Sequence, residues 1–304
     1  MPNRIRLVAL CLCLLAGLAR AGCGSEGVAV QVLGSGGPIA DDGRAGSAYL
    51  VWVDGHARVL IDAGGGAFLR FGESAARIED LELIALTHLH ADHAADLPAL
   101  VKSGYFSARE RPLPISGPDG GGDFPGLREW LGSQFDANTG AWRYLSGALN
   151  GSAGQFALIP QQVAAASRRA ATVLKSGDLL VEAIGVPHGP VPALAYRVSV
   201  RGQRLVFGGD QNGSADRFWK FAHAADLLVM ALAIPEQADS VARRLHAPPG
   251  IIGAGAGGAG VRRLLLSHLM ERSLYSLAAN LAAVRRGYAG SVAVAQDLAC
   301  YAGP

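Results

Sequence analysis

The segment LTHLHADHAADLPAL, residues 86–100, places His88, His90, Asp92 and His93 within six residues. The apolar run over 81–86 that leads into it reads as a short buried strand, and residues 94–103 beyond it as a helix. In an extended loop, residues two apart point the same way, so His88 and His90 can grip one cation together. Asp92 and His93 fall at the start of the following helix and turn to the other side. Four ligands from one short loop close a single tetrahedron poorly. The crowding therefore favours two adjacent metals over one, and metal binding over a solvated histidine-rich loop.

The start of the chain reads as a leader rather than as part of the fold. Arg4 and Arg6 precede an apolar run of 12 residues over 7–18, and Ala19-Arg20-Ala21 supplies a small-residue cleavage site. The run is too short to span a bilayer comfortably, and no membrane span is expected in the mature chain. Residues 1–21 are thus read as a signal peptide cleaved near Ala21, and the mature protein as secreted or periplasmic. Lipid attachment at Cys23 ranks below this, because Arg20 sits where a lipobox takes an apolar residue. Cleavage removes three arginines and no acid, so the formal charge of +2 becomes −1. A near-neutral surface does not advertise a polyanionic partner. It also leaves two cysteines, Cys23 and Cys300, which an oxidising compartment would join as a disulfide.

Residues 22–304 read as a single domain. Strands are expected over 27–33, 49–53, 57–61, 179–186, 193–200, 204–207, 227–231, 263–266 and 291–294, with a tight turn at Asp54-Gly55. Helices are expected over 67–76, 215–221, 236–245 and 273–286. The stretch 107–162, rich in Gly and Pro, reads as an irregular insertion with short helices near 126–133 and 141–149. Strands followed by helices, twice over, fit two mixed sheets back to back with helices outside. Gly253, Gly255 and Gly258 match a dinucleotide-binding pattern, but they follow Pro248-Pro249 rather than a strand, so a loop or poor helix packed close to the sheet is the better reading.

Further ligands must come from elsewhere in the chain. His188, Asp210 and His268 each follow an expected strand, and functional groups of sheet proteins gather at strand ends. His56 in a turn and His223 in a helix are set aside. With these residues in hand, the chain resembles the metallo-β-lactamase fold superfamily: H-x-H-x-D-H at 88–93, then His188, Asp210 and His268, follow the order of that superfamily's metal motifs over nearly the whole mature chain. The resemblance implies an α/β, four-layer αββα sandwich with a dinuclear site between the sheets. It assigns His88, His90 and His188 to one metal, Asp92, His93 and His268 to the other, and Asp210 as the bridge. The ions implied are zinc, with manganese or iron also compatible with His and Asp ligands.

Asp210 at the bridging position argues against β-lactam hydrolysis. Gly34-Ser-Gly-Gly-Pro38, LIDAGGG at 60–66 and AQDL at 295–298 look like the ribonuclease Z and arylsulfatase-like branch. That branch also implies a catalytic role outside the metal shell for His246. The tRNA-processing members carry a basic loop after the first strand, whereas residues 38–44 here add Asp41 and Asp42. Their RNA-gripping arm falls where only 21 residues separate His188 from Asp210. With export, these departures argue against a nucleic-acid partner and against ribonuclease Z-type cleavage.

Two divalent cations would outweigh Asp92, Asp210 and a bridging hydroxide, leaving a positive core suited to a small anionic ester. The expected activity is hydrolysis of a phosphodiester or aryl sulfate, with the metal-bridging hydroxide as nucleophile, Asp92, Asp210 and His246 as the catalytic residues, and His246 protonating the leaving group or stabilising the charged transition state. A lactonase or other carboxylic ester hydrolase is the alternative. A non-catalytic metal-binding domain is disfavoured because all seven ligand positions are filled. Phe106, Phe124, Trp130 and Trp142 form either an apolar wall over the site or a small local core.

Overall fold

Strands β1 (Val28–Gly34), β2 (Ala48–Val53) and β3 (His56–Ile61) form an antiparallel meander. Successive residues face opposite ways, and both faces are apolar: Val28, Val30 and Val32 join one core while Ala29 and Leu33 join another. Such a sheet must be covered on both sides. β4 (Leu83–Ala85), β5 (Leu113–Pro118) and β6 (Leu158–Val163) continue it in parallel, and β14 (Cys300–Ala302) pairs antiparallel with β1 at the far edge. The structure, a computed structural model, describes residues 23–302, so the segment read as a signal peptide lies outside the described residues.

The second sheet comprises β7 (Ala171–Ser176), β8 (Leu179–His188), β9 (Val191–Val200), β10 (Gln203–Phe207), β11 (Leu227–Ala231), β12 (Arg263–Ser267) and β13 (Ser291–Val294), in the order β13-β12-β11-β10-β9-β8-β7. Between the sheets, Val30, Val51 and Ile61 meet Val181, Tyr196 and Phe207. Each aliphatic side chain buried here contributes about 1.5–3 kcal/mol. The outer face of the first sheet is covered by α1 (Ala67–Glu73), α3 (Leu97–Gly104) and α4 (Leu127–Phe135), through Phe71, Leu97, Leu100, Leu127 and Leu131. The outer face of the second is covered by α5 (Asp216–Phe221), α7 (Pro249–Gly258) and α9 (Leu277–Gly287), through Phe218, Ile252 and Val284. Three cores between four layers make the expected αββα sandwich. Among the described residues no helix is long and apolar enough to cross a membrane.

Several expectations need correction. The stretch 107–162 is not an irregular insertion: it supplies β5 and β6 to the first sheet, together with α4 and a 3₁₀ segment, Arg143–Leu149, where short helices were expected. Pro114 and Pro118 bracket β5 and Pro160 lies in the edge strand β6, so proline hid both from pattern reading. The edge strands β7 and β14 were missed because both are largely exposed or half exposed, and β14 has only three residues. The 94–103 helix divides into α2 (Ala91–Ala94) and α3, and the 273–286 helix into α8 (Glu271–Leu274) and α9. The glycine pattern lies in α7, which packs on α9: a methyl at Gly253 would fall 2.1 Å from the Val284 carbonyl oxygen. Glycine there permits helix–helix contact rather than nucleotide binding. Cys23 and Cys300 are disulfide-bonded, with Cα atoms 5.7 Å apart.

Candidate metal centre

At one end of the sandwich the C-terminal ends of β3, β4, β8, β10 and β12 converge. β4 runs out at Ala85, and Leu86 to His90 cross the rim with a bend at Thr87, His90 being extended, before α2 begins. The His88 ring lies edge-on to His90 at 4.6 Å between centroids, and His188, the last residue of β8, stands 5.0 Å from His88 and 5.3 Å from His90. One nitrogen from each of these three lies within 4.8 Å of the others. Asp92 and His93, on the first turn of α2, meet His268, which follows β12, while the His93 ring also lies 4.0 Å from that of His88. His268 Nε2 is 3.2 Å from Asp92 Oδ2, and His93 Nε2 is 3.5 Å from the same oxygen. Asp210, beyond β10, stands between the groups: its carboxylate lies 3.2 Å from His268 Nε2, 3.7 Å from His93 Nε2 and 3.8 Å from His188 Nε2.

All seven expected ligands are thus brought together, and all but His90 and Asp92 are buried. His246 joins them: its ring is 5.3 Å from that of His188, and its Nδ1 is 3.8 Å from Asp210 Oδ2. His56 and His223 are exposed and away from the centre, as expected. Of the four aromatics considered as a wall, only Phe124 reaches the site, 6.1 Å from the His90 ring. Phe106 is 76% exposed and packs over Lys102, Trp142 lies against Tyr144, and Trp130 packs on the outer core of the first sheet.

One residue that holds this arrangement was not assigned from the sequence. Asp62 follows β3 with φ of 58°, in the left-handed region that non-glycine residues seldom enter. Its buried carboxylate accepts from the Thr87 amide at 2.6 Å and the Thr87 hydroxyl at 2.9 Å, and pairs with His93 Nδ1 at 2.8 Å. It therefore orients His93 so that Nε2 faces the centre, as an outer partner of a metal-bound imidazole does. His188 is oriented likewise by the Leu245 carbonyl, 2.9 Å from Nδ1. The signal was present in LIDAGGG. The same stretch contains Gly64, where a methyl would lie 2.0 Å from the Asp92 carbonyl oxygen.

The electrostatics show a cluster that wants positive charge. Burial opposes ionisation of Asp92 and Asp210, yet His268 and His93 more than offset it and hold both carboxyls far below the usual range. Burial likewise disfavours a charged His268, but Asp210 outweighs it and raises the imidazole to about 9. His93 is also raised, with Asp62 and Asp210 overcoming its burial. His88 is pushed down by burial and by charge on His93. Without a cation, the carboxylates keep protons on two imidazoles. A divalent cation would displace those protons and satisfy the same carboxylates. His93 Nε2, His188 Nε2 and Asp210 Oδ1 are buried without a hydrogen-bond partner, and they face the places that cations would fill. The nitrogen and oxygen donor set fits two divalent ions of the zinc, manganese or iron type.

Comparison with known proteins agrees with this geometry. The family model described as "Beta-lactamase superfamily domain" matches residues 57–269. A protein named Ribonuclease Z from Mycolicibacterium paratuberculosis is 28% identical over 292 residues, covering 89% of this chain and 96% of that one. Another Ribonuclease Z, from Mycobacterium sp. (strain KMS), is 40% identical over 95 residues, which span 31% of this chain and about a third of the relative's own length. Among solved structures, the short form of human tRNase Z superposes with a TM-score of 0.70 at 21% identity, covering 91% of this chain and 99% of that one, and shares the fold.

Proposed function

The chain belongs to the metallo-β-lactamase superfamily and is a metal-dependent hydrolase, and from that premise we propose that it is an exported phosphodiesterase holding two zinc ions. The observation that carries this reading is Asp210, buried between the two ligand groups with His246 beside it. His88, His90 and His188 would hold one ion, Asp92, His93 and His268 the other, and Asp210 both. When bound, such ions polarise an ester oxygen and lower the pKa of water toward about 7.

The residues around them define the rest of the chemistry. Asp92 and Asp210, with Asp62 behind His93, offset two dications only in part, so the centre stays positive and favours an anionic ester. Burial holds His246 down to about 4, against the pull of Asp210, so its imidazole is neutral at pH 7. A neutral imidazole with its proton on Nδ1 serves as a hydrogen-bond donor to oxygen charge developing at the ester. This favours transition-state stabilisation over proton donation for that residue. Phe124 against His90 gives the mouth an apolar flank suited to an aryl or other apolar ester group.

Zinc-loaded mature protein should be assayed against an aryl phosphodiester, an aryl sulfate, a lactone and a β-lactam side by side. The phosphodiester should turn over fastest and stop on chelation. Faster turnover of the lactone or the sulfate would overturn the assignment. His246→Ala should lower kcat by about 10²-fold with metal content unchanged; a change under threefold removes that residue's role.

A second reading, RNA cleavage, draws support from the near full-length similarity to proteins named Ribonuclease Z. The expectation against nucleic acid gains nothing from those relatives. Against an RNA substrate stands the segment between His188 and Asp210, which β9 and β10 consume as a tight hairpin. A structured RNA with a 3′ extension belongs in the same assay, and its cleavage in preference to the small diester would establish this second reading. Export is supported by the basic and apolar leader and by the Cys23–Cys300 disulfide. The disulfide occupies the thiol that lipid attachment would need. A mature form starting at Gly22 in the periplasmic fraction is expected, and a lipid-bearing Cys23 would overturn both the cleavage site and the bridge.

A further inference from the structure

At the metal-bearing end of the sandwich, two tyrosines cross the space between the sheets in opposite directions. Tyr49, on β2 of the first sheet, donates its hydroxyl to Ser267 Oγ at 2.8 Å. Ser267 ends β12 of the second sheet and directly precedes His268. Tyr196, on β9 of the second sheet, donates to the Leu86 carbonyl at 3.0 Å and stands 3.0 Å from the Ser116 hydroxyl. Leu86 follows β4 of the first sheet, two residues before His88. Both phenols are buried, and burial raises both above their ordinary value, so they remain donors.

The contacts fall on the backbone and side chain that set the ligands. The Leu86–Thr87 peptide is pinned at both poles: Tyr196 takes its carbonyl, and Asp62 Oδ1 takes its N–H at 2.6 Å. The next carbonyl, of Thr87, accepts from the Leu194 amide of β9 at 2.8 Å. Strand β9 of the second sheet thus holds the segment that presents His88. Conversely, His268 has φ of 51°, a conformation that persists only where its surroundings enforce it. The Ser35 carbonyl of the first sheet accepts from the Leu269 amide at 2.7 Å on one side, and Tyr49 holds Ser267 on the other.

We propose that Tyr49 and Tyr196 are positioning residues for metal binding, each acting across the sandwich on a ligand segment of the opposite sheet and each governing a different ion. Tyr196 governs the His88, His90 and His188 group, and Tyr49 the Asp92, His93 and His268 group. The inference rests on the reading of these residues as a two-ion site. It adds that the mutual placement of the sheets, and not the loops alone, sets metal affinity.

The test is a metal titration of mature protein stripped by chelation. Zinc is added in competition with a chromophoric chelator, which resolves stepwise constants, and cobalt is substituted to give each site an absorption band. His90→Ala and His268→Ala identify the two steps. Tyr196→Phe should weaken the step that His90→Ala abolishes by about 10–100-fold, and Tyr49→Phe the step that His268→Ala abolishes. Each should leave the other step within about threefold. Equal loss in both steps, or no loss in either, overturns the proposal. Should Tyr49→Phe fail to fold, Ser267→Ala removes the same hydrogen bond from its other end and must show the same selective loss. Where both fold, the double variant should be no worse than either alone. Fewer than two equivalents bound by the unaltered protein would refute the two-ion reading and the inference with it. Two equivalents in the unaltered protein with unchanged variants would refute the tyrosine role alone.

Discussion

The two sheets contribute to the candidate metal centre in different ways. The first delivers His88, His90, Asp92 and His93 from six consecutive residues, oriented by Asp62 and Thr87 of the same sheet. The second delivers His188, Asp210 and His268 from the ends of three separate strands, and His246 from beyond α6 (Ser240–Leu245). The first set is local in sequence: one loop carries all four ligands, held by Asp62 from its own sheet and by Tyr196 and Leu194 from the other. The second exists only once the five neighbouring strands from β8 to β12 are paired in register. The difference teaches that half of the site is chain geometry and half is fold, and the two halves should fail differently.

The largest effect should come from the residue that joins the halves. Asp210 approaches both ligand groups, so Asp210→Ala should release both ions and lower kcat/KM by about 10³-fold or more, the scale of the charge stabilisation such ions supply. His90→Ala touches one group only and should leave one ion bound. Metal content by elemental analysis, read beside kcat/KM, separates the two cases. Retention of two ions in Asp210→Ala would remove that residue from its central role and make the sheets independent.

The same asymmetry decides what could be read from the sequence. The cluster at 88–93 announces itself because its ligands are adjacent. His188, Asp210 and His268 are each a single polar residue after a strand; that position made them candidates, and their order, matched to a known superfamily, assigned them. Asp62 was marked only by its place in LIDAGGG, and the two tyrosines gave no sign of their contacts, since a buried hydrogen bond between one sheet and the other leaves no trace in either strand's pattern. The central strands were legible through their apolar runs. β5 and β6 were not, because prolines break the run, and β7 and β14 were not, because edge strands need apolar residues on fewer sides. Phe106 and Trp142 were candidates for an apolar wall over the site or for a small local core, yet the end of α3 and the 3₁₀ segment carry them to an exposed surface.

A sharper test of the local half lies in Asp62. Its carboxylate accepts three bonds, from two atoms of Thr87 and from His93, and a neutral amide could not accept all three while also presenting its N–H₂ group. Asp62→Asn should weaken the ion held by Asp92, His93 and His268 by about 10–100-fold, with the His88, His90 and His188 ion less affected. Stepwise chelator competition measures both. An unchanged affinity would mean that the loop holds its own geometry without support.

The smallest effect on chemistry should come from the disulfide. Cys23 and Cys300 close almost the whole described chain, 277 residues apart in sequence, yet both lie at one edge of the first sheet: Cys300 opens β14, which pairs with β1, and Cys23 lies in the turn that leads into β1. Between Cys300 and the site lies Asp297, whose carboxylate accepts from the Ser35 and Ala45 amides at 3.0 and 2.9 Å and from the Ser35 hydroxyl at 2.8 Å. Those bonds do not depend on the bridge. Cys300→Ser should cost about 2–5 kcal/mol of stability, or roughly 4–10 °C in Tm, through the freed unfolded chain. Metal affinity and kcat at 25 °C should stay within about twofold, because no ligand of the second sheet is tied to β14. Calorimetry and the diester assay on the same sample check this. A loss of activity well below the melting range would show that strand β14, acting through Asp297 on the loop that carries Ser35, holds His268 in place, and would extend the reciprocal support of the two sheets to the edge of the molecule.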